Sequence, residues 1–283
     1  MASAWTVGVM TRQEAAWTVD LAAREGWNPG LHDAACFYAT DPGGFLVGRL
    51  DGRPVGCISA IAYDEAFGFM GFYIVLPEFR GRGYGLKLWQ AAVDRLGDRN
   101  IGLDGVIEQQ ENYSKSGFHL AYLNIRFERL ALQEAPDDNS GLVPLRDVPL
   151  DAVAAYDRLC FPACRNLFLR HWLILPDSKG VAAMENGRIA GYGVIRRCRE
   201  GCKIGPLFAD DPLRAEAIYR RLSLFARPEE MVYLDCPEVN DDAVALALRY
   251  NMRMVFGTVR MYSRSEPPIS LNRVFGVTSF ELG

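Results

Sequence analysis

A hairpin written twice constrains this chain more than any other feature. Asp51-Gly52 joins two strand-forming runs, Phe45 to Leu50 and Pro54 to Tyr63. Asn186-Gly187 joins Val181 to Glu185 with Arg188 to Arg197. Both dipeptides supply the positive φ angles that a two-residue hairpin turn demands. The sequences around the turns also match, Gly52-Arg53-Pro54-Val55-Gly56 against Gly187-Arg188-Ile189-Ala190-Gly191. Their surroundings keep one order. In the first half, Thr11-x-x-Glu14 is a capping box that opens a helix ending at Glu25-Gly26, and a short helix over Leu31 to Ala39 precedes the hairpin. A third strand (Phe67 to Val75), a helix (Gly83 to Leu96), a strand (Ile101 to Val106), a short helix (Gln109 to Ser116) and a closing strand or pair (Phe118 to Arg129) follow it. In the second half, helices over Leu150 to Cys160 and Arg165 to Leu175 precede the hairpin. Then come a strand (Lys203 to Phe208), a helix (Leu213 to Phe225), a strand (Met231 to Asp235), a helix (Asp241 to Tyr250) and strands within Arg253 to Ser263. This repeat points to an ancient duplication.

The 283 residues accommodate two domains. Glu134-Ala135-Pro136-Asp137-Asp138-Asn139-Ser140-Gly141 is polar and turn-rich, as a linker should be. It sets the expected boundaries at 1–133, 142–266 and an apolar tail, 267–283. Val274, Phe275, Val277, Phe280 and Leu282 make that tail too apolar to stay in water, so it is expected to dock on a domain or a partner chain.

Composition removes whole classes of protein. With 49% hydrophobic and 23% charged residues, the chain is not disordered, collagenous or coiled coil. A net charge of −4 leaves no basic footprint for nucleic acid. The longest apolar run, near Phe67 to Leu76, is about half the ~20 residues a membrane span needs. Met1-Ala2-Ser3-Ala4-Trp5 lacks the basic and apolar regions of a signal peptide. The expectation is a cytoplasmic protein, monomeric or homodimeric, with no nucleic-acid or membrane partner. Its seven cysteines are then reduced, and an odd number suits no disulfide framework. Cys160-x-x-x-Cys164 and Cys198-x-x-x-Cys202 fall in the loose range of zinc-ligand spacing, but buried thiols explain them better, and no metal is expected.

The chemistry-bearing segment runs from Tyr73 to Lys87. A strand feeds Arg80-Gly81-Arg82-Gly83-Tyr84-Gly85, which opens a helix. Glycines let backbone N–H groups close on an anion, and the helix dipole adds to the pull. Arg80, Arg82 and Lys87 crowd that same N-terminus, where cations oppose the dipole by about 0.3–1 kcal/mol each. A bound polyphosphate reverses the sign. The matching loop of the second half carries Asp210-Asp211-Pro212. There Asp211 suits an N-cap and Pro212 the first helical position, so that helix start is satisfied by protein alone.

Arg80-x-x-Gly83-x-Gly85, after a strand ending Val75-x-Pro77, resembles the acetyl-CoA signature of the GNAT superfamily of N-acetyltransferases. Tyr113-Ser114-Lys115-Ser116-Gly117-Phe118 resembles the family's second motif. The domain-level likeness covers Trp5 to Glu128, and the whole chain is similar to bacterial two-domain GNAT proteins with a degenerate second domain. The fold this implies is α+β, or α/β in the broader sense: two tandem domains, each a mixed, mostly antiparallel twisted sheet flanked by helices. The implied activity is transfer of an acetyl group from acetyl-CoA to a small-molecule primary amine. A protein lysine or N-terminal acetyltransferase and a non-catalytic acyl-CoA sensor are the alternatives. By the resemblance, Gly81, Arg82, Gly83, Tyr84 and Gly85 hold the pyrophosphate with charge from Arg80 and Lys87. Ile74 and Val75 pair with the pantetheine arm, and Tyr113 protonates the departing thiolate. The sequence departs from the family at Val106, where an Asn is frequent, and in a third strand without a carboxylate. The general base is then open among Glu65, Asp104 and Glu108, with Glu108 favoured by its place at a strand end.

Overall fold

The computed structural model describes residues 4–133 and 141–283. All of the expected linker except Gly141 lies outside the described residues. The first half runs β1 (Trp5–Val9), α1 (Arg12–Arg24), α2 (Asp33–Thr40), β2 (Phe45–Leu50), β3 (Arg53–Ala62), β4 (Phe67–Val75), α3 (Tyr84–Leu96), β5 (Asn100–Val106), α4 (Gln110–Lys115) and β6 (His119–Leu130). The second runs β7 (Leu142–Pro144), α5 (Leu150–Cys160), α6 (Asn166–Trp172), β8 (Ser178–Glu185), β9 (Arg188–Arg197), β10 (Cys202–Ala209), α7 (Pro212–Ser223), β11 (Met231–Pro237), α8 (Asp241–Arg249), β12 (Arg253–Tyr262) and β13 (Val274–Gly276).

Local chemistry explains most of these boundaries. The capping box forms, with Thr11 accepting from the Glu14 N–H and Glu14 from the Thr11 N–H. Both hairpin turns take the left-handed angles expected, φ 50° and 81° at Asp51-Gly52 and 48° and 76° at Asn186-Gly187. The second helix begins at Asp33 rather than Leu31, because the Asp33 carboxylate accepts from the Gly30 N–H (2.8 Å) and closes the preceding turn. Phe118 to Arg129, left open between a strand and a pair, is the single strand β6.

The strands form one sheet in the order β1-β2-β3-β4-β5-β12-β6-β11-β10-β9-β8-β7, with β13 on β10. Among the described residues, only β4–β5 and β10–β11 pair in parallel. Each half gives its last long strand to the other. β12 lies between β5 and β6, while β6 runs between β12 and β11. Buried ion pairs fasten the exchange: Arg260 on Asp104, Arg126 on Asp235 and Arg196 on Asp33, each joining one half to the other. The main core is shared in the same way, with Phe37 of α2 stacked on Trp172 of α6 at 5.8 Å.

The site is positioned by what happens where the parallel pairs end. β4 and β5 pair from Phe67–Asn100 to Met70–Leu103 and then part, β4 staying with β3 and β5 turning to β12. At the parting β4 carries a bulge. Ser59 faces Gly71 and Cys57 faces Ile74, so Phe72 and Tyr73 together oppose Ile58. Phe72 is buried with φ 49°, an uncommon backbone state for a bulky residue, found where structure around it holds it. In the second half β10 and β11 part after Ile204–Leu234, and that gap is filled. β13 pairs with β10 on one side, and the Val277 N–H reaches Asp235 O (2.8 Å) of β11 on the other.

Candidate active site

The open gap between β4 and β5 is a cavity of about 470 Å³, lined among others by Val75, Trp89, Gly105, Tyr113, Phe256 and Glu281. Its walls follow from the backbone. The Leu76 N–H bonds to Val55 O (2.9 Å), so the next residue back along β4 presents its polar groups to the other side. The Val75 carbonyl does so, accepting from Arg80 Nε at 2.8 Å. Its N–H faces the gap by the same geometry.

Beyond β4 the loop is built for an anion. Gly81 and Gly83 have φ angles of 73° and 80°, and nothing stands within 4 Å of where a side chain would begin. Gly83 is the N-cap of α3 and offers no side chain to the first-turn N–H groups. Arg80 pairs with Glu25 (2.5 Å). Arg82 lies over the Phe79 ring at 5.8 Å, and the Lys87 Nζ lies 5.8 Å from the Trp5 ring and 6.0 Å from Tyr84. Neither Arg82 nor Lys87 has a carboxylate partner among the described residues, which leaves both cations available. At the start of α7, by contrast, Asp211 caps the Arg214 N–H at 2.9 Å and also pairs with its guanidinium.

Tyr113 is placed by a local turn. The Phe118 N–H bonds to Tyr113 O (3.2 Å) through Gly117 at φ 88°, which explains the spacing of Tyr and Gly-Phe. The ring stacks on Trp89 at 5.5 Å. A side chain at Gly105 would stand 2.1 Å from it, so glycine is needed there. Burial, and after it the nearby Tyr73, raises the phenol's pKa, so Tyr113 stays protonated and can donate.

The carboxylates expected from sequence separate. Asp104 lines the cavity, but Arg260 holds both its oxygens (2.7 and 2.6 Å) and Asn124 adds a bond at 2.8 Å. Burial pushes its pKa up against the pull of those partners. Glu65, exposed in the β3–β4 turn, and Glu108, exposed after β5, are not brought to the cavity. Another carboxylate is. Glu281, 3% exposed, lines the cavity from the tail. The sequence signalled only that the tail is apolar and buried.

Comparisons with known proteins bear on this geometry. Residues 12–118 match a family model described as acetyltransferase (GNAT) family, and residues 153–276 one described as acetyltransferase (GNAT) domain. The chain is a two-domain GNAT acyltransferase. It is 28% identical to a holothin acyltransferase of Pseudoalteromonas sp. (strain SANK 73390), over 99% of this chain and 95% of that one. Among solved structures, a protein of Pyrococcus horikoshii is similar at TM-score 0.83 and 21% identity, covering 99% of this chain and 96% of its own. A tandem GNAT protein from the clavulanic acid biosynthesis pathway is similar at TM-score 0.63 and 16% identity, over 93% of this chain and all (100%) of that one. These structures share the fold.

Proposed function

We propose that the first half moves an acetyl group from acetyl-CoA directly to a primary amine of a small molecule. The observation that carries this is the contrast between the gaps: one is open beside an uncapped, cationic helix N-terminus, the other is plugged by the chain's own β13 beside a capped one. The backbone of Gly81, Arg82, Gly83, Tyr84 and Gly85 would hold the pyrophosphate, with Arg82, Lys87 and Arg80 supplying charge. Ile74 and Val75 would pair with the pantetheine arm as an added strand. The Val75 N–H would polarise the thioester carbonyl.

An alkyl amine of pKa about 10.4 must lose a proton before it attacks, at a cost of about 4–5 kcal/mol at neutral pH. The departing thiolate, pKa about 8.5 by analogy with cysteine, takes its proton from Tyr113. Trp27, Phe256 and Phe280 also line the cavity, and this aromatic lining favours a compact acceptor over a folded protein surface. The similarity to a holothin acyltransferase supports acyl transfer along the whole chain.

A thiol-release assay with acetyl-CoA and simple primary amines (an arylethylamine, an aliphatic diamine, an amino sugar) tests this. Acceptor-dependent release is the expected result. Tight CoA binding without turnover of any amine would overturn it in favour of a sensor, and acetylation of an added protein, read by intact mass, would move the acceptor to protein lysines or N-termini.

A further inference from the structure

Every other carboxylate buried as deeply as Glu281 is committed. Among the described residues, Asp33 is held by Arg196, Asp104 by Arg260, Asp157 by Arg165 and Asp235 by Arg126. Glu281 has no hydrogen bond or ion pair there, and its Oε2 is buried without a partner. Its backbone lies against Gly71, the first residue of β4 beyond the β5 pairing, where a side chain would stand 2.1 Å from Glu281 O. The tail is fixed on both sides of it. Tyr63 donates to Leu282 O (2.8 Å), Arg165 donates to Gly283 O (3.1 Å), and the Phe280 ring lies under Arg126 at 4.8 Å. Glu281 therefore lines the same cavity as Tyr113, with its backbone against the point where the strands part.

We propose that Glu281, supplied by the C-terminal tail of the second half, is the general base that deprotonates the acceptor amine. The inference rests on the acetyl-transfer reading above. Glu281 takes one proton from the ammonium. The freed nitrogen lone pair attacks the thioester carbon, a C–N bond forms and the C–S bond breaks. Tyr113 gives its proton to the thiolate and recovers one from the amide nitrogen, while Glu281 returns its proton to solvent. Atoms and charge balance with one proton released per turnover.

The surroundings suit a base that exchanges protons. Burial raises the Glu281 pKa. Lys203 of β10, Arg126 of β6 and Arg196 of β9 lower it, and Asp33 of α2 raises it. These neighbours are engaged elsewhere: Lys203 with the Asn28 carbonyl (3.0 Å), Arg126 with Asp235, and Arg196 with Asp33, although Arg196 Nη1 is itself buried and unpaired. A carboxylate with a raised pKa is a stronger base toward an ammonium than an ordinary one.

The decisive experiment compares wild type with Glu281→Gln and Glu281→Asp, using acetyl-CoA and the best amine of the panel. In Glu281→Gln, kcat should fall about 100-fold or more with KM for acetyl-CoA unchanged. Its rate should climb about tenfold per pH unit toward the amine pKa, because only free amine then reacts. Glu281→Asp should keep a measurable part of the rate. Removing an unpaired buried carboxylate should leave Tm unchanged or raise it, whereas a structural role predicts a lower Tm. Wild-type kcat and pH profile in Glu281→Gln would overturn the proposal while leaving acetyl transfer intact. No turnover by wild type with any acceptor would overturn the acetyl-transfer reading and this proposal with it. If Glu281→Gln does not bind CoA, Glu281→Asp decides alone: an unchanged kcat and acidic limb would refute the role.

Discussion

The gaps at β4–β5 and β10–β11 begin alike and end differently. Each opens where a short parallel pair stops, and each lies beside a register shift in the flanking hairpin, at Phe72-Tyr73 in β4 and at Gly205-Pro206 in β10. The first stays open above a glycine loop whose Arg82 and Lys87 have no carboxylate partner among the described residues. The second receives β13, and Asp211 caps its helix. The open cavity is thus a sheet defect left unrepaired, and the second half shows what repair looks like. The repairing segment does not stop there, since residues 277–283 run on to the open gap and deliver Glu281 to it.

The strongest way to break this comparison is to remove the plug. Deleting residues 274–283 exposes the faces that buried Val274, Phe275, Phe280 and Leu282 cover. At about 2–5 kcal/mol for each large apolar side chain lost, the total exceeds the usual 5–15 kcal/mol of a domain or comes close to it. The expected outcome is loss of cooperative unfolding by calorimetry and of activity together. Next in size is the strand exchange. Arg260→Met leaves Asp104 buried without its partner and should cost about 3–5 kcal/mol, read as a lower midpoint in urea.

A sharper test makes the first loop resemble the second. Gly83→Asp places a capping carboxylate where the phosphates should sit, on a backbone at φ 80°. CoA affinity should fall about 30- to 100-fold by calorimetry, roughly 2–3 kcal/mol, and unchanged affinity would mean the loop is not the anion site. Tyr113→Phe should lower kcat by about tenfold to a hundredfold with CoA binding preserved. The smallest effect belongs to the repaired side. Asp211→Ala should cost about 1 kcal/mol of stability and leave CoA binding untouched.

The pH dependence of stability follows from the same residues. Glu281 holds its proton more tightly when folded, so its contribution is present below its unfolded pKa and is lost as pH rises through the higher folded value. Glu281→Gln should abolish that loss and flatten the upper arm of a Tm–pH curve.

Much of the architecture was legible because it is local. Asp51-Gly52 and Asn186-Gly187 need only their own φ angles to announce hairpins, and β4 ends where Val75-Leu76-Pro77 says it should. The motif of Tyr113 and Gly117-Phe118 is one turn, closed by the Ser116 and Phe118 N–H groups on Tyr113 O. The exchange of β6 and β12 was not legible. Alternation tells which face of a strand is buried and not which strand lies beside it, so tandem domains with separate sheets read the same as one fused sheet.

The candidate base divides along that line. Sequence alone told the two helix starts apart, because a glycine loop with cations and an Asp-Pro cap are opposite solutions to the same unpaired N–H groups, and both are complete within a few residues. Among the carboxylates it favoured Glu108 on its strand-end position and did not reach Glu281. Asp104, Glu108, Glu65 and Glu281 are the same functional group until distance assigns partners, and only the tertiary structure neutralised Asp104 with Arg260, left Glu65 and Glu108 in water, and buried Glu281 unpaired beside the gap.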